Sequence, residues 1–336
     1  MEKKILVTGA SGFIGSFLVE GGLEQGMQVW AGIRRTSSRK YLTDPRIRFA
    51  ELDFTDSERL GSQLTAHKRE HGGWDYIIHC AGVTKCLHPA DFEIGNYWAT
   101  RNFIETLQRL NMKPERFVFI SSLSVFGAIR ERDYSDIRNE DTPRPNTAYG
   151  ISKLHTEEYL HSLKDFPYVI FRPTGVYGPR ERDYFLMAQS ISRHLDFAAG
   201  FRRQDITFVY VADLVQAVYL ALQKQVIQRS YFVSDGKVYS SRTFSDLIRK
   251  ELGNPWMIRF VCPLALLKLI SFIAENVARL RRKPSTLNCD KYKIMKQRNW
   301  RCDITPAIEE LGYHPQYPLE RGVKEIIAWY KKEGWL

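Results

Sequence analysis

The chain opens with a short apolar strand that runs directly into a glycine-rich turn, Lys4-Ile5-Leu6-Val7-Thr8-Gly9-Ala10-Ser11-Gly12-Phe13-Ile14-Gly15. No other feature of its 336 residues restricts the fold as strongly. Gly9 permits the tight turn out of the strand, and Gly12 lets backbone approach a phosphate. Gly15 lets the helix continued by Phe17-Leu18-Val19 pack closely on the sheet. The first amides of that helix then face a pyrophosphate, with Ser11, Phe13 and Ile14 in the same loop. A glycine triplet alone is a weak sign, but the buried-strand run before it and the helical pattern after it indicate a dinucleotide site.

Strand-like runs recur at residues 29–33, 47–50, 76–79, 117–120 and 168–171, with helical patterns such as 97–110 between them. That alternation predicts an α/β chain with a Rossmann-type doubly wound parallel sheet, its ligands at the carboxyl ends of the strands. The length allows one nucleotide-binding domain, expected at 1–171 with 208–234 returning to it. Residues 173–205 and 236–336 would build a smaller α/β substrate lobe.

Apolar content of 44% argues against extensive disorder. Cys80, Cys86, Cys262, Cys289 and Cys302 are scattered without zinc spacing, so no metal is expected and the thiols are read as reduced. With no secretory leader pattern, the expected location is cytoplasmic, or peripheral to the inner face of a membrane. The net charge of +11 suggests anionic partners. No motif supports nucleic acid, which leaves a phosphorylated cofactor and an anionic membrane surface.

The second strand should end near the adenosine ribose, where a carboxylate usually selects a cofactor lacking a 2′-phosphate. Here Ile33 is followed by Arg34-Arg35-Thr36-Ser37-Ser38-Arg39. Guanidiniums and hydroxyls suit a 2′-phosphate, so the expected cofactor is NADP(H), with Arg34 first and Arg35 or Ser37 assisting. NAD(H) stays open, because the same run also reads as a solvated basic loop. After the third strand, Asp53 is placed to accept a bond from the adenine amine, with Phe54 beside it. The alternative for Asp53 is a helix cap, a role Asp56 and Ser57 also fit.

Polar and small residues gather at the later strand ends: His79-Cys80-Ala81-Gly82, Ser121-Ser122-Leu123-Ser124, and Arg172-Pro173-Thr174-Gly175-Val176-Tyr177-Gly178-Pro179. Tyr149 and Lys153 stand four apart on a helix that starts after Pro143-Arg144-Pro145-Asn146, and so share a face. A free phenol has a pKa near ~10, and a neighbouring ammonium is expected to lower it while bonding the nicotinamide ribose. Ser122 is read as the hydroxyl that orients a substrate oxygen, and Tyr149 as the acid or base that moves its proton. Asn96 is a further neighbour.

As a set, these motifs resemble the extended short-chain dehydrogenase/reductase family, including its epimerase/dehydratase branch, over residues 1–250. Phe208-Val209-Tyr210-Val211-Ala212-Asp213 also resembles a family segment. The resemblance implies cofactor contacts from Cys80, Ala81, Gly82, Pro173 and Val176 as well as from Tyr149 and Lys153. It implies substrate contacts from Thr84, Ser124, Gly175 and Tyr184, and a homodimer paired through helices near 97–110 and 149–163.

Within that family, nucleotide-sugar enzymes commonly carry an asparagine where this chain has Gly175. They often carry an arginine where an ungapped alignment gives Ile206, with Arg202 and Arg203 shortly before, and an acid where it has Ile33. These departures bring the chain closer to the ketone-reductase and hydroxysteroid-dehydrogenase-like branch.

The tail adds a strongly apolar helical pattern at 263–280, ending in Arg281-Arg282-Lys283. Leu266, Leu269, Ile270, Ile273, Val277 and Leu280 form one stripe, and Lys268, Glu275 and Asn276 argue against a membrane span. The stripe reads either as a core helix of the second lobe or as a wall or lid over a greasy substrate, its basic end near anionic headgroups. Three functions follow. The first is an NADP(H)-linked ketone reductase or alcohol dehydrogenase with a lipid- or sterol-like substrate. The others are a nucleotide-sugar epimerase or dehydratase with tightly held NAD, and a nucleotide-sensing protein without catalysis.

Overall fold

The computed structural model describes residues 2–224, 226–281, 285 and 287–336. Contacts divide the chain into two compact units, Met1–Val125 with Ala148–Arg172 and Val215–Tyr231, and Phe126–Thr147 with Pro173–Leu214 and Phe232–Leu336.

The first unit is built on a seven-stranded sheet. Its strands are β1 (Lys4–Thr8), β2 (Gln28–Ile33), β3 (Arg48–Glu51), β4 (Tyr76–His79), β5 (Arg116–Ile120), β6 (Tyr168–Pro173) and β7 (Arg229–Val233). They lie in the order β7-β6-β5-β4-β1-β2-β3, and every pairing from β3 across to β6 is parallel. Thr8 is level with both Gly32 and His79, so the ends of β1, β2 and β4 form one rim. The inner strands β1, β2, β4, β5 and β6 are near-continuous apolar runs because both faces are covered, whereas the edge strand β3 is mostly exposed. Helices α1 (Phe13–Glu24), α2 (Ser57–His71), α3 (Ala99–Arg109) and α4 (Ala148–Ser162) belong to this unit. Trp30, Leu60, Phe103, Ile104, Phe117 and Leu160 are among its fully packed residues.

The second unit pairs Gly175–Tyr177 with Phe208–Tyr210 in parallel. A small sheet sets Asp205–Ile206 between Tyr239–Ser240 and Asn299–Trp300. Its core joins Tyr177, Phe208, Phe244, Ile248, Val323 and Tyr330.

The contacts place two segments differently from the sequence reading. Residues 126–147 cluster with the second unit because their polar groups are satisfied there. The Ile137 amide donates to the Arg301 carbonyl at 3.1 Å, Gln297 Nε2 donates to the Gly127 carbonyl at 2.9 Å, and Asn299 Nδ2 donates to the Ser135 carbonyl at 3.0 Å. Residues 208–214 follow their strand partner at 175–177.

The tail pattern forms helix α5 (Leu264–Leu280) as expected, but its stripe is not core. Leu267 and Ser271 are buried, whereas Leu266, Leu269, Ile270, Ile273, Val277 and Leu280 are exposed. The buried and apolar faces are rotated from one another by roughly a third of a turn at about 100° per residue. Arg282 and Lys283 lie outside the described residues. Among the described residues, no helix is long and apolar enough to cross a membrane.

Candidate active site

The glycine turn is sterically determined. Gly9 has φ +67°, and a β-carbon on it would sit 2.7 Å from the Ala81 amide nitrogen. One on Gly15 would fall 2.1 Å from the Gly9 carbonyl oxygen, so neither position admits a side chain. The turn delivers the chain to Gly12, which begins α1 without a side-chain cap and with no acid in the first turn. Amides at such a terminus, with no carboxylate to repel an anion, suit a pyrophosphate. A dinucleotide therefore fits the residues present.

The floor of this turn is braced from β4. The Thr8 hydroxyl lies 2.9 Å from His79 Nδ1 and accepts from the Ala81 amide at 3.2 Å, while His79 Nε2 lies 3.0 Å from the Thr100 hydroxyl. Burial holds the imidazole down at about 3, so it is neutral and serves as a bridge. Phe54, expected beside the adenine, packs edge-on against His79 and Phe103.

Asn96, a minor candidate from sequence, has a central place here. It sits in a π-helical turn, Glu93–Trp98, immediately before α3, which sequence periodicity does not reveal. Its Oδ1 accepts from the Val83 amide at 2.7 Å, and its Nδ2 donates to the Val83 carbonyl at 3.1 Å and to the Ser152 hydroxyl at 2.9 Å. One amide thus fixes the loop after β4 to α4, with Ser152 adjacent to Lys153. Thr84, just beyond, is exposed.

Ser122, Tyr149 and Lys153 lie together in this unit. The hydroxyls of Ser122 and Tyr149 are hydrogen-bonded. Ser124 donates its amide to Ser122 Oγ at 3.1 Å, and the two serine hydroxyls are also 3.1 Å apart. Lys153 is buried, donates to the Ile120 carbonyl at 2.8 Å, and sits 4.5 Å from the centre of the Phe119 ring. Burial lowers its ammonium to about 8.

The expected lowering of the phenol does not follow from this arrangement. Burial, then the neighbouring Cys80, push Tyr149 up to about 12, and the bond to Ser122 is the opposing influence. Desolvation of the phenolate is the largest influence on Tyr149, so the resting residue is a protonated phenol. Cys80 is itself raised to about 11 by burial and remains a thiol.

Below the site, Glu157 and Arg172 form a buried ion pair. Arg172 Nη2 and Nε donate to Glu157 Oε2 at 2.6 and 3.1 Å, and Ser121 donates its hydroxyl to the same carboxylate. This pair joins α4, one turn past Lys153, to the ends of β5 and β6.

Past β2, Ile33 is buried, and a turn closes as the Arg34 amide donates to Ser37 Oγ at 3.0 Å and the Ser37 amide donates to the Arg34 carbonyl at 2.9 Å. Arg34 and Arg35 are exposed, and among the described residues neither guanidinium is tied to a carboxylate. Asp53 is partly engaged: its Oδ1 accepts from the Thr55 hydroxyl at 2.8 Å and its Oδ2 is 3.7 Å from Arg59. The cap of α2 is Asp56, which accepts from the Arg59 amide at 3.0 Å.

In the second unit, Gly175 and Tyr184 are neighbours. Tyr184 stacks on Phe244 with centroids 4.6 Å apart and meets Phe208 edge-on at 6.1 Å. Burial pushes its phenol well above the usual range. Pro173 ends β6, and Val176 lies in the following strand, paired with Val209. Separately, a cavity of about 650 Å³ is lined by Arg202, Arg203, Asp205, Tyr239, Arg242 and Arg301. Buried Asp205 takes both Arg203 nitrogens at 2.7 Å, and Arg301 pairs with Asp136 at 2.8 Å.

Comparison with known proteins finds relatives and structures that span nearly the whole chain. The chain is 28% identical over 98% of each chain to the uncharacterized protein YbjS of Escherichia coli. It is 25% identical over 98% of each chain to the decarboxylating sterol-4-alpha-carboxylate 3-dehydrogenase of Candida albicans. Its fold matches that of Thermotoga maritima UDP-glucose 4-epimerase, solved with UDP-glucose, at a TM-score of 0.76 and 22% identity, over 98% of this chain and 99% of the other. The model of the NAD dependent epimerase/dehydratase family matches residues 5–233. The chain is thus a member of the NAD dependent epimerase/dehydratase family, enzymes of the extended short-chain dehydrogenase/reductase type.

Proposed function

We propose that this enzyme is an NADP(H)-dependent oxidoreductase that interconverts a ketone and a secondary alcohol on a hydrophobic, lipid- or sterol-like substrate. The observation that carries the reading is the Gly175–Tyr184 contact. A β-carbon at 175 would lie 2.6 Å from the Tyr184 hydroxyl oxygen, so the aromatic wall takes the space in which sugar-nucleotide enzymes of the family commonly place an asparagine. The sterol dehydrogenase among the relatives supports a hydrophobic substrate.

In this reading the amides after Gly12 hold the pyrophosphate, Asp53 meets the adenine, and Arg34, with Arg35 or Ser37, binds the 2′-phosphate. Bound nicotinamide supplies or accepts the hydride. Tyr149, a protonated phenol, donates its proton to the carbonyl oxygen, and Ser122 orients that oxygen by a hydrogen bond. Lys153 holds the ribose and keeps a positive charge beside the phenolate left behind. Asn96 positions the loop after β4 against α4. A homodimer is part of the reading, because Ile94, Trp98 and Ile151 are exposed apolar residues on or beside the expected pairing helices. Peripheral contact with a membrane completes it.

The second reading, a nucleotide-sugar epimerase or dehydratase, is favoured by the arginine-lined cavity, which suits a diphosphate. Against it, Arg203 and Arg301 are already occupied by Asp205 and Asp136. The test is turnover: NADPH with a panel of sterol-like and long-chain ketones, against UDP-glucose and dTDP-glucose. Consumption of NADPH with a hydrophobic ketone supports the proposal; conversion of a nucleotide sugar without net cofactor consumption overturns it.

A further inference from the structure

The exposed stripe of α5 does not stand alone. The chain enters α5 through Pro263 from the strand Ile258–Cys262, which pairs in parallel with Leu195–Ala199. In that ribbon Phe260 is in register with Phe197 and their rings stack at 5.7 Å, so both project from one face. The other face carries Asp196 and Arg259, joined at 2.6 Å. Phe197, Phe260 and Ile258 are exposed, as are Trp256 before the strand and Phe201 after its partner. Gly200 adjoins Leu264 in the first turn of α5, so ribbon and helix are contiguous. Along the helix, Leu269 is 55%, Ile273 53% and Leu280 85% exposed. Soluble monomers rarely leave so much contiguous apolar surface uncovered.

The charges of the same stretch have one sign outward. Its acids are Asp196, held by Arg259, and Glu275, held by Arg279 at 2.6 Å. Cations follow the apolar anchors directly in sequence: Arg202 after Phe201, Arg281 after Leu280, with Lys268 and Arg193 also exposed. The whole chain carries +11. A helix with an apolar stripe, too short and too polar to span, lies in the plane of an interface, and cations beside it favour anionic headgroups.

We infer that α5 and the ribbon 195–199/258–262 form a docking surface for an anionic lipid bilayer. Leu266, Leu269, Ile270 and Ile273 enter the acyl boundary, Phe197 and Trp256 sit at headgroup level, and Arg202 and Arg281 meet the lipid phosphates. This extends the membrane contact of the proposed function to named residues, yet it does not depend on which ketone is reduced.

The test uses the full chain and vesicles of phosphatidylcholine with or without phosphatidylglycerol. Cosedimentation should occur with the anionic vesicles and weaken with salt. Trp256 emission should be quenched by brominated acyl chains, a change lost in Trp256→Phe. Leu269→Glu/Ile273→Glu, at exposed positions, should weaken partition by about tenfold or more while leaving turnover of a water-soluble ketone unchanged. Failure of the active-site reading would show as no turnover with normal vesicle binding, and so is separable. Absence of binding to anionic vesicles, or binding that survives the double variant, overturns the inference. So does a double variant that changes the oligomeric state without changing partition, which would make this face a contact between copies.

Discussion

The hydroxyl oxygen of Tyr184 lies 2.6 Å from where a β-carbon on Gly175 would be, and the ring that carries it is stacked on Phe244. The glycine and the aromatic wall are therefore one feature, in which the ring can stay where it is only while residue 175 has no side chain. Gly175→Asn should destabilise the protein by about 1–3 kcal/mol, the usual effect of overpacking a filled site. Tyr184→Ala is costly by itself because it empties a packed aromatic site, but Gly175→Asn should cost less in that background than in the unaltered chain. Urea unfolding of both single variants and the double variant checks it, and an equal cost of Gly175→Asn in the two backgrounds would show that the ring is not what excludes the asparagine.

Tyr149→Phe keeps the ring and removes the proton donor. Turnover should fall by about 10²- to 10⁴-fold, as loss of a general acid usually gives. Cofactor affinity, measured by fluorescence titration, should stay within about twofold because the glycine turn and Lys153 are untouched. Unchanged turnover would remove Tyr149 from the mechanism.

The pH dependence of reduction follows from two groups. Tyr149, raised to about 12, stays protonated over the ordinary range, whereas Lys153, lowered to about 8, loses its proton first. Reduction needs both protons in place, so kcat/KM should be flat at lower pH and fall as pH rises through about 8. Lys153→Arg, whose guanidinium does not titrate in this range, should move that limb upward even at reduced overall rate. A limb that stays put would assign it to another group.

Arg34→Asp replaces a cation by the carboxylate that selects a free ribose hydroxyl. Losing a charge-assisted bond of about 1.5–3 kcal/mol should weaken NADPH binding by about ten- to a hundredfold and favour NADH. Comparing kcat/KM with the two cofactors tests it, and an unaltered ratio would refute the phosphate role of Arg34.

Glu157→Gln leaves the Arg172 guanidinium buried without its counter-charge. Breaking one partner of such a pair costs about 3–5 kcal/mol, and denaturant unfolding should show a loss of that order. A change below about 1 kcal/mol would mean that the pair is solvated in the folded protein.

The sheet and the glycine turn were legible in sequence because both leave local marks, apolar runs for strands buried on two faces and closely spaced glycines where Gly15 meets Gly9, although the contact of Gly9 with Ala81 joins residues far apart in the chain. Ser122, Tyr149 and Lys153 could be named from spacing and motif, but the direction of the Tyr149 shift depends on burial, which no spacing reports. The π-helical turn that aims Asn96 at Val83 has no periodic signature. The attachment of residues 126–147 to Gln297, Asn299 and Arg301 joins segments more than 150 positions apart. The α5 stripe was legible as a stripe. Whether it faces a core or solvent depends on what packs beside it, and only Leu267 and Ser271 turn inward.

The most direct test of the central claim is to denature the purified protein and identify the nucleotide it releases. An NADP(H)-linked reductase exchanges its cofactor every cycle, so the expected result is no stoichiometric nucleotide, and a site that then takes NADPH in preference to NADH. Release of stoichiometric, non-exchanging NAD⁺ would contradict it, because an enzyme that returns the hydride to the same sugar has no need to let its cofactor go.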